Sequence, residues 1–98
     1  MRAAILIVAA LAACPAAAQD SQPGRNLAAG CAICHGTEGR SSTRELPSLA
    51  GLQKDYIIRQ MADFRDGKRP ATVMQQIARG YSSAEVEAMA AWFAAQKR

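Results

Sequence analysis

The only histidine of this chain, His35, stands directly behind Cys34 in the run Cys31-Ala-Ile-Cys34-His35, which also holds two of the three cysteines. That run constrains the fold more than any other feature, because the rest of the sequence is short of core. The aromatics are Tyr56, Phe64, Tyr81, Trp92 and Phe93 alone. Much of the 50% hydrophobic content is alanine, which buries little area per residue. At 98 residues there is room for one domain. Domains of this size make up a thin core with a disulfide, a metal or another staple, and the cysteines are where to look for it.

Residues 1–20 differ in kind from the remainder of the chain. Arg2 precedes an apolar run from Ala3 to Ala13, and Ala16-Ala17-Ala18 fits a small-residue cleavage site. This is the pattern of a secretory signal peptide over residues 1–18, with residues 19–98 as the folded domain. The run is well short of the roughly 20 residues a helix needs to cross a bilayer, so no membrane span is expected. Leu11-Ala12-Ala13-Cys14 also fits a lipoprotein cleavage box, in which Cys14 would carry a lipid anchor, and both processing routes remain open. Either route takes the chain out of the cytoplasm. Twelve Lys and Arg against eight Asp and Glu give a net charge of +4. The excess forms no cluster and has no interleaved aromatics, which argues against nucleic-acid binding and suits weak docking to an acidic protein surface.

No segment alternates as a strand should, so the fold class expected is all-α. A first helix is expected over about 21–34, with Ser21 as N-cap, Pro23 in the first turn and Leu27 facing inward. The stretch 36–51, rich in Gly, Ser and Thr and without apolar periodicity, reads as a loop. A second helix over about 55–64 carries Ile57, Met61 and Phe64 on one stripe, with Gly67 beyond its end. A short helical turn from Val73 to Arg79 would stop at Gly80. In the last helix Ser82 and Glu85 form a capping box, Val86, Met89, Ala90 and Phe93 repeat at helical spacing, and Lys97 and Arg98 meet the C-terminal end.

Three chemistries use a Cys-x-x-Cys pair. A thioredoxin-type disulfide sits at a strand-to-helix junction, and this chain offers no strand. Structural zinc needs four ligands, and Cys31, Cys34 and His35 supply three. The remaining chemistry is attachment of one covalent haem c, in which each thiol adds across a porphyrin vinyl group and the adjacent imidazole binds the iron. A helical turn sets the two sulfurs at the separation of the vinyls and turns His35 toward the ring centre. Haem, a large apolar plate, also supplies the missing core.

On these grounds the sequence resembles the small bacterial class I cytochromes c. The resemblance runs from GRNLAAGCAICHG through LPSLAGLQKDYI and DFRDGKRPATVM to GYSSAEVEAMAAWFAAQK. It is especially similar to the cytochrome subunits of flavocytochrome c sulfide dehydrogenases and to related short electron-shuttle cytochromes. The resemblance implies three to four helices wrapped around one haem, with His35 and Met74 as axial iron ligands. Met61 and Met89, on inner helical stripes, are then core residues. It further implies that the Pro47 carbonyl accepts a hydrogen bond from His35, with Leu49 beside it, and that Gly24 meets Trp92 where the first and last helices cross, alongside Leu27 and Met89. Tyr56 and Arg69 are candidates for contact with a haem propionate.

The function so implied is outer-sphere transfer of single electrons in the periplasm, without enzymatic catalysis by this chain. Redox proteins are the implied partners, among them a flavoprotein subunit or a terminal oxidase, with Arg40, Lys68, Arg69 and Arg79 steering their approach. Two alternatives remain at this level: a haem enzyme or gas sensor with a labile sixth ligand, and a zinc or disulfide module without haem.

Overall fold

The computed structural model describes residues 3–12 and 22–98. Residues 3–12 form neither helix nor strand, and Ile5, Leu6, Ile7, Val8 and Leu11 are 87–94% exposed. Nothing in the described chain covers this apolar run. Ser21, Cys14 and the Ala16–Ala18 stretch lie outside the described residues.

The domain is all helix and loop among the described residues: α1 (Gln22–Ala28), α2 (Ala32–His35), α3 (Lys54–Arg65), α4 (Met74–Arg79) and α5 (Ser83–Ala94). The single first helix expected from the sequence is divided. A 3-10 turn over Ala29–Cys31 tightens the chain between α1 and α2, and Cys31 and His35 belong to different helical segments as a result.

The crossing of α1 with α5 holds the molecule together. A Cβ placed on Gly24 would lie 2.5 Å from the Ala88 carbonyl oxygen and 3.2 Å from Trp92 Cβ, so the two backbones approach as only a residue without a side chain allows. Gly24 therefore meets the backbone of Ala88 as well as Trp92. The core around this crossing comprises Ala28, Ile57, Val86, Met89, Ala90 and Phe93, with Leu27, Met61 and Trp92 packed at its margin. Trp92 and Phe93 meet edge to face at a centroid distance of 5.2 Å.

The capping box at α5 is formed in full: Glu85 N–H donates to Ser82 Oγ at 3.1 Å and Ser82 N–H donates to Glu85 Oε1 at 2.9 Å. The far end of α5 departs from expectation. The helix stops at Ala94, short of Lys97 and Arg98, and two of its last carbonyls, with that of Lys97 beyond it, accept from donors outside the helix. Gly51 N–H donates to Phe93 O at 2.9 Å, Gln96 Nε2 donates to Trp92 O at 2.8 Å, and Arg40 Nη1 donates to Lys97 O at 3.1 Å. The tail thus folds onto the 36–51 segment. Gly67 ends α3 in the left-handed region at φ +73°, whereas Gly80 after α4 has φ −78°, ψ −4°, so that helix ends without a left-handed residue. At this same end of α3, Arg65 Nη2 donates to Tyr81 O at 2.6 Å and ties the approach to α5 onto α3.

Candidate functional site

His35 is the one polar side chain buried among the described residues. It ends α2, and its Nδ1 lies 2.7 Å from the Pro47 carbonyl oxygen, twelve residues along the chain. A carbonyl only accepts, so Nδ1 carries the hydrogen, and in a neutral imidazole Nε2 then holds a lone pair free for a metal. The contact expected between His35 and Pro47 is present.

The loop that delivers Pro47 is shaped by two glycines that sequence reasoning passed over. Gly36 follows His35 at φ +84°, and a Cβ there would lie 1.9 Å from the Arg40 carbonyl oxygen. Gly39, at φ +80°, lies so close to the Phe93 ring that a Cβ would come within 2.8 Å of it. Its carbonyl accepts from Leu49 N–H at 2.7 Å and Ala50 N–H at 3.1 Å, and Gly51 N–H reaches Phe93 O. The chain leaving Pro47 is thereby bound both to the turn behind His35 and to α5. The signal available in the sequence was two glycines three residues apart directly after the histidine.

Cys31 and Cys34 are free thiols, half-buried and exposed respectively. They share one side of the turn, while Ile33 between them projects outward, 91% exposed. Burial pushes the Cys31 thiol above its ordinary pKa, and the nearby Cys34 raises it further. No disulfide joins them, and among the described residues no group of three or more His, Cys, Asp or Glu could hold a metal ion by itself. The zinc alternative finds no support here.

Met74 opens α4, half-buried, with Val73 beside it 56% exposed. Met89 is a core residue at 4% exposure, while Met61 packs at the margin of the core. Next to Met74, the Gln75 amide donates to Ala71 O at 2.8 Å and leaves Gln75 Oε1 buried without a partner. Arg69, a candidate for a propionate, is held by Gln60 Oε1 at 2.6 Å with its guanidinium 4.7 Å above the Phe64 ring, and Tyr56 is 40% exposed. Arg40, one of the expected steering cations, is paired with Glu38 at 3.2 Å.

These residues fit a haem. No large side chain among the described residues is completely buried, and Leu49, Leu52, Ile58 and Met61 are only partly covered around a core closed at one end by the α1–α5 crossing. Close-packed interiors do not leave so much apolar surface half covered without something to lie against it. Two thiols and an imidazole with its Nδ1 committed are groups that would hold a c-type haem, and the half-buried Met74 thioether would be a candidate for the second iron ligand.

The family model described as Cytochrome c matches residues 21–97. The chain belongs to the cytochrome c family. As a cytochrome c it carries haem c covalently and has the class I fold. It is 37% identical over 93 residues to cytochrome c4 of Pseudomonas aeruginosa, covering 95% of this chain and 46% of that one. It is 41% identical over 70 residues to the cytochrome subunit of sulfide dehydrogenase of Chlorobaculum tepidum, covering 71% and 63%. The cytochrome thus spans about half of the one relative and under two thirds of the other. Its fold matches the crystal structure of reduced recombinant cytochrome c4 from Pseudomonas stutzeri with a TM-score of 0.74, over 82% of this chain and 50% of that one, at 23% identity.

No helix among the described residues is long and apolar enough to cross a membrane.

Proposed function

We propose that this cytochrome is an exported monohaem carrier of single electrons, with Cys31 and Cys34 as thioether positions and His35 Nε2 and Met74 Sδ as axial iron ligands. When bound, the haem supplies the one-electron change between Fe(III) and Fe(II). The chain's own groups do the rest. The observation that carries the reading is the buried His35, oriented by Pro47 directly behind two free thiols. The Pro47 carbonyl fixes the ring and strengthens its Nε2 as a donor. Met74 would supply the second protein ligand, and an iron held by two protein groups would offer no open position to a substrate, so in this reading the chain itself makes and breaks no bonds of a metabolite. The packing of α1 and α3 against α5 would shield one side of this centre from water.

Residues 1–18 serve as the export signal in this reading, and the uncovered apolar run at Ile5–Leu11 supports it. Periplasmic maturation comes next, with Cys14 either removed or lipidated. The partners are other redox proteins. Similarity to the cytochrome subunit of sulfide dehydrogenase supports a dehydrogenase partner, and a flavoprotein subunit or a terminal oxidase is the partner the family resemblance implies.

The test is a spectrum of protein matured in a periplasm with haem-attachment machinery. Sharp reduced bands, retention of colour through acid and organic extraction, and no uptake of carbon monoxide by the reduced protein at neutral pH are expected. Colour that extracts overturns the thioether assignment. Ready carbon monoxide uptake overturns Met74 and makes this a haem protein with a labile sixth position. Purification at native abundance distinguishes a subunit, which would bring a stoichiometric flavin-containing chain, from a free shuttle.

A further inference from the structure

The carbonyl that orients His35 belongs to the peptide unit joining Pro47 to Ser48, so whatever holds that plane sets the grip on the imidazole. On its N-terminal side little does. Residues 42–46 are bends, all exposed, and the hydrogen bonds found there are those between the Ser41 hydroxyl and the Thr43 backbone. On its C-terminal side the hold is immediate. Ser48 Oγ accepts from Ser41 N–H at 2.9 Å, and the next residues, Leu49 and Ala50, donate to Gly39 O. Ser48 is therefore the first anchored point after the carbonyl, the one side-chain tie among these anchors, and an exposed residue with no share in the core.

We propose that Ser48 is a positioning residue for the axial imidazole: by clamping the chain to Ser41 it fixes the Pro47–Ser48 peptide plane and so keeps the His35 Nδ1–H bond short. This rests on His35 being an iron ligand. A histidine whose other nitrogen donates to a well-placed acceptor is the more basic ligand, and a more basic ligand favours the oxidised metal. Removing the Ser48 hydroxyl lets the peptide plane rock, lengthens the Nδ1–Pro47 bond and weakens that preference. The change travels through the backbone at Ser48 and needs no rearrangement of the helices.

The test uses the mature holoprotein and its Ser48→Ala, Ser48→Val, Ser48→Thr and Thr43→Ala variants. Ser48→Thr keeps the hydroxyl, Ser48→Val matches it in size without one, and Thr43→Ala changes a side chain of the same loop that makes no hydrogen bond. In Ser48→Ala and Ser48→Val the reduced form should be favoured about threefold more. At about 59 mV per tenfold for a one-electron couple, that is an upward shift in midpoint potential of about 30 mV. The His35 ring N–H, observed by NMR, should exchange with solvent severalfold faster. Ser48→Thr and Thr43→Ala should match the parent. Unchanged potential and exchange in Ser48→Ala and Ser48→Val, with a low-spin His/Met spectrum intact, overturn the role of Ser48 and leave the ligand assignment standing. A parent protein lacking that spectrum overturns the ligand assignment and this inference with it.

Discussion

The two sides of the candidate iron site are built differently. On the His35 side the ligand is buried, its ring held by a 2.7 Å hydrogen bond, and the loop behind it is locked by left-handed Gly36 and by Gly39 against Phe93. On the Met74 side the ligand begins a six-residue helix that has no side-chain cap, comes after an exposed Val73 and carries an unpartnered Gln75 oxygen beside it. The chain makes the first side from its own hydrogen bonds. At the second, a flexible thioether opens a short helix, and a haem held there would complete its surroundings. In the proposed assignment one ligand is held by the chain's own hydrogen bond, and the other would depend on the bound group.

The comparison can be broken hardest at Gly36. Gly36→Ala puts a methyl group into the Arg40 carbonyl at a positive φ, and it should cost about 3 kcal/mol or more of stability, seen as a large fall in thermal midpoint or as failure to mature. A variant that matures with parental stability would show that the His35 side is not rigid. Gly24→Ala forces apart the crossing that supports that side, with Ala88 O in the way, and about 1–3 kcal/mol should be lost in denaturant titration.

Met74→Ala should be milder for the fold and decisive for the iron. Because Met74 is half-buried, stability of the haem-free chain should fall by less than about 2 kcal/mol, below the range for fully buried methionines. The holoprotein should keep its covalent colour, drop in potential and take up carbon monoxide when reduced. Retention of the parental spectrum would place the sixth ligand elsewhere.

The smallest effect sharpens the picture at the thiols. In haem-free protein, iodoacetamide near pH 8 should alkylate exposed Cys34 severalfold faster than Cys31, as peptide mapping would show. Cys31 is shielded, and burial raises its pKa, so a smaller fraction is thiolate at that pH; raising the pH should accelerate its labelling. Equal rates at pH 8 would mean that the turn carrying both thiols is not folded before haem is attached.

The fold was legible where periodicity or a local cap decides it. The stripe of Ile57, Met61 and Phe64, the Ser82–Glu85 box and the core positions Val86, Met89 and Phe93 are local patterns, and each falls on the expected helix. What could not be read are the features set by contacts distant in sequence. These include the end of α5 at Ala94, where Gly51 reaches Phe93 O, and the capture of the tail by Arg40, fifty-seven residues earlier; the division of the first helix at Ala29–Cys31 was likewise not read from the sequence. Arg40 and Arg69, read as steering cations and Arg69 also as a candidate for a propionate, are engaged by Glu38 and by Gln60 and Phe64.

By itself the sequence determined the chemistry: two thiols and an imidazole at a spacing set by one helical turn, in a chain with too little apolar volume to close its own core. Those are consequences of covalent order and composition, which need no partner to be stated. The tertiary structure decided which carbonyl holds the imidazole and how firmly, because Gly39, Ser48 and Phe93 reach Pro47 and its neighbours only after the loop has folded against α5. A hydrogen bond between distant segments depends on where both ends come to rest, and no local pattern records that.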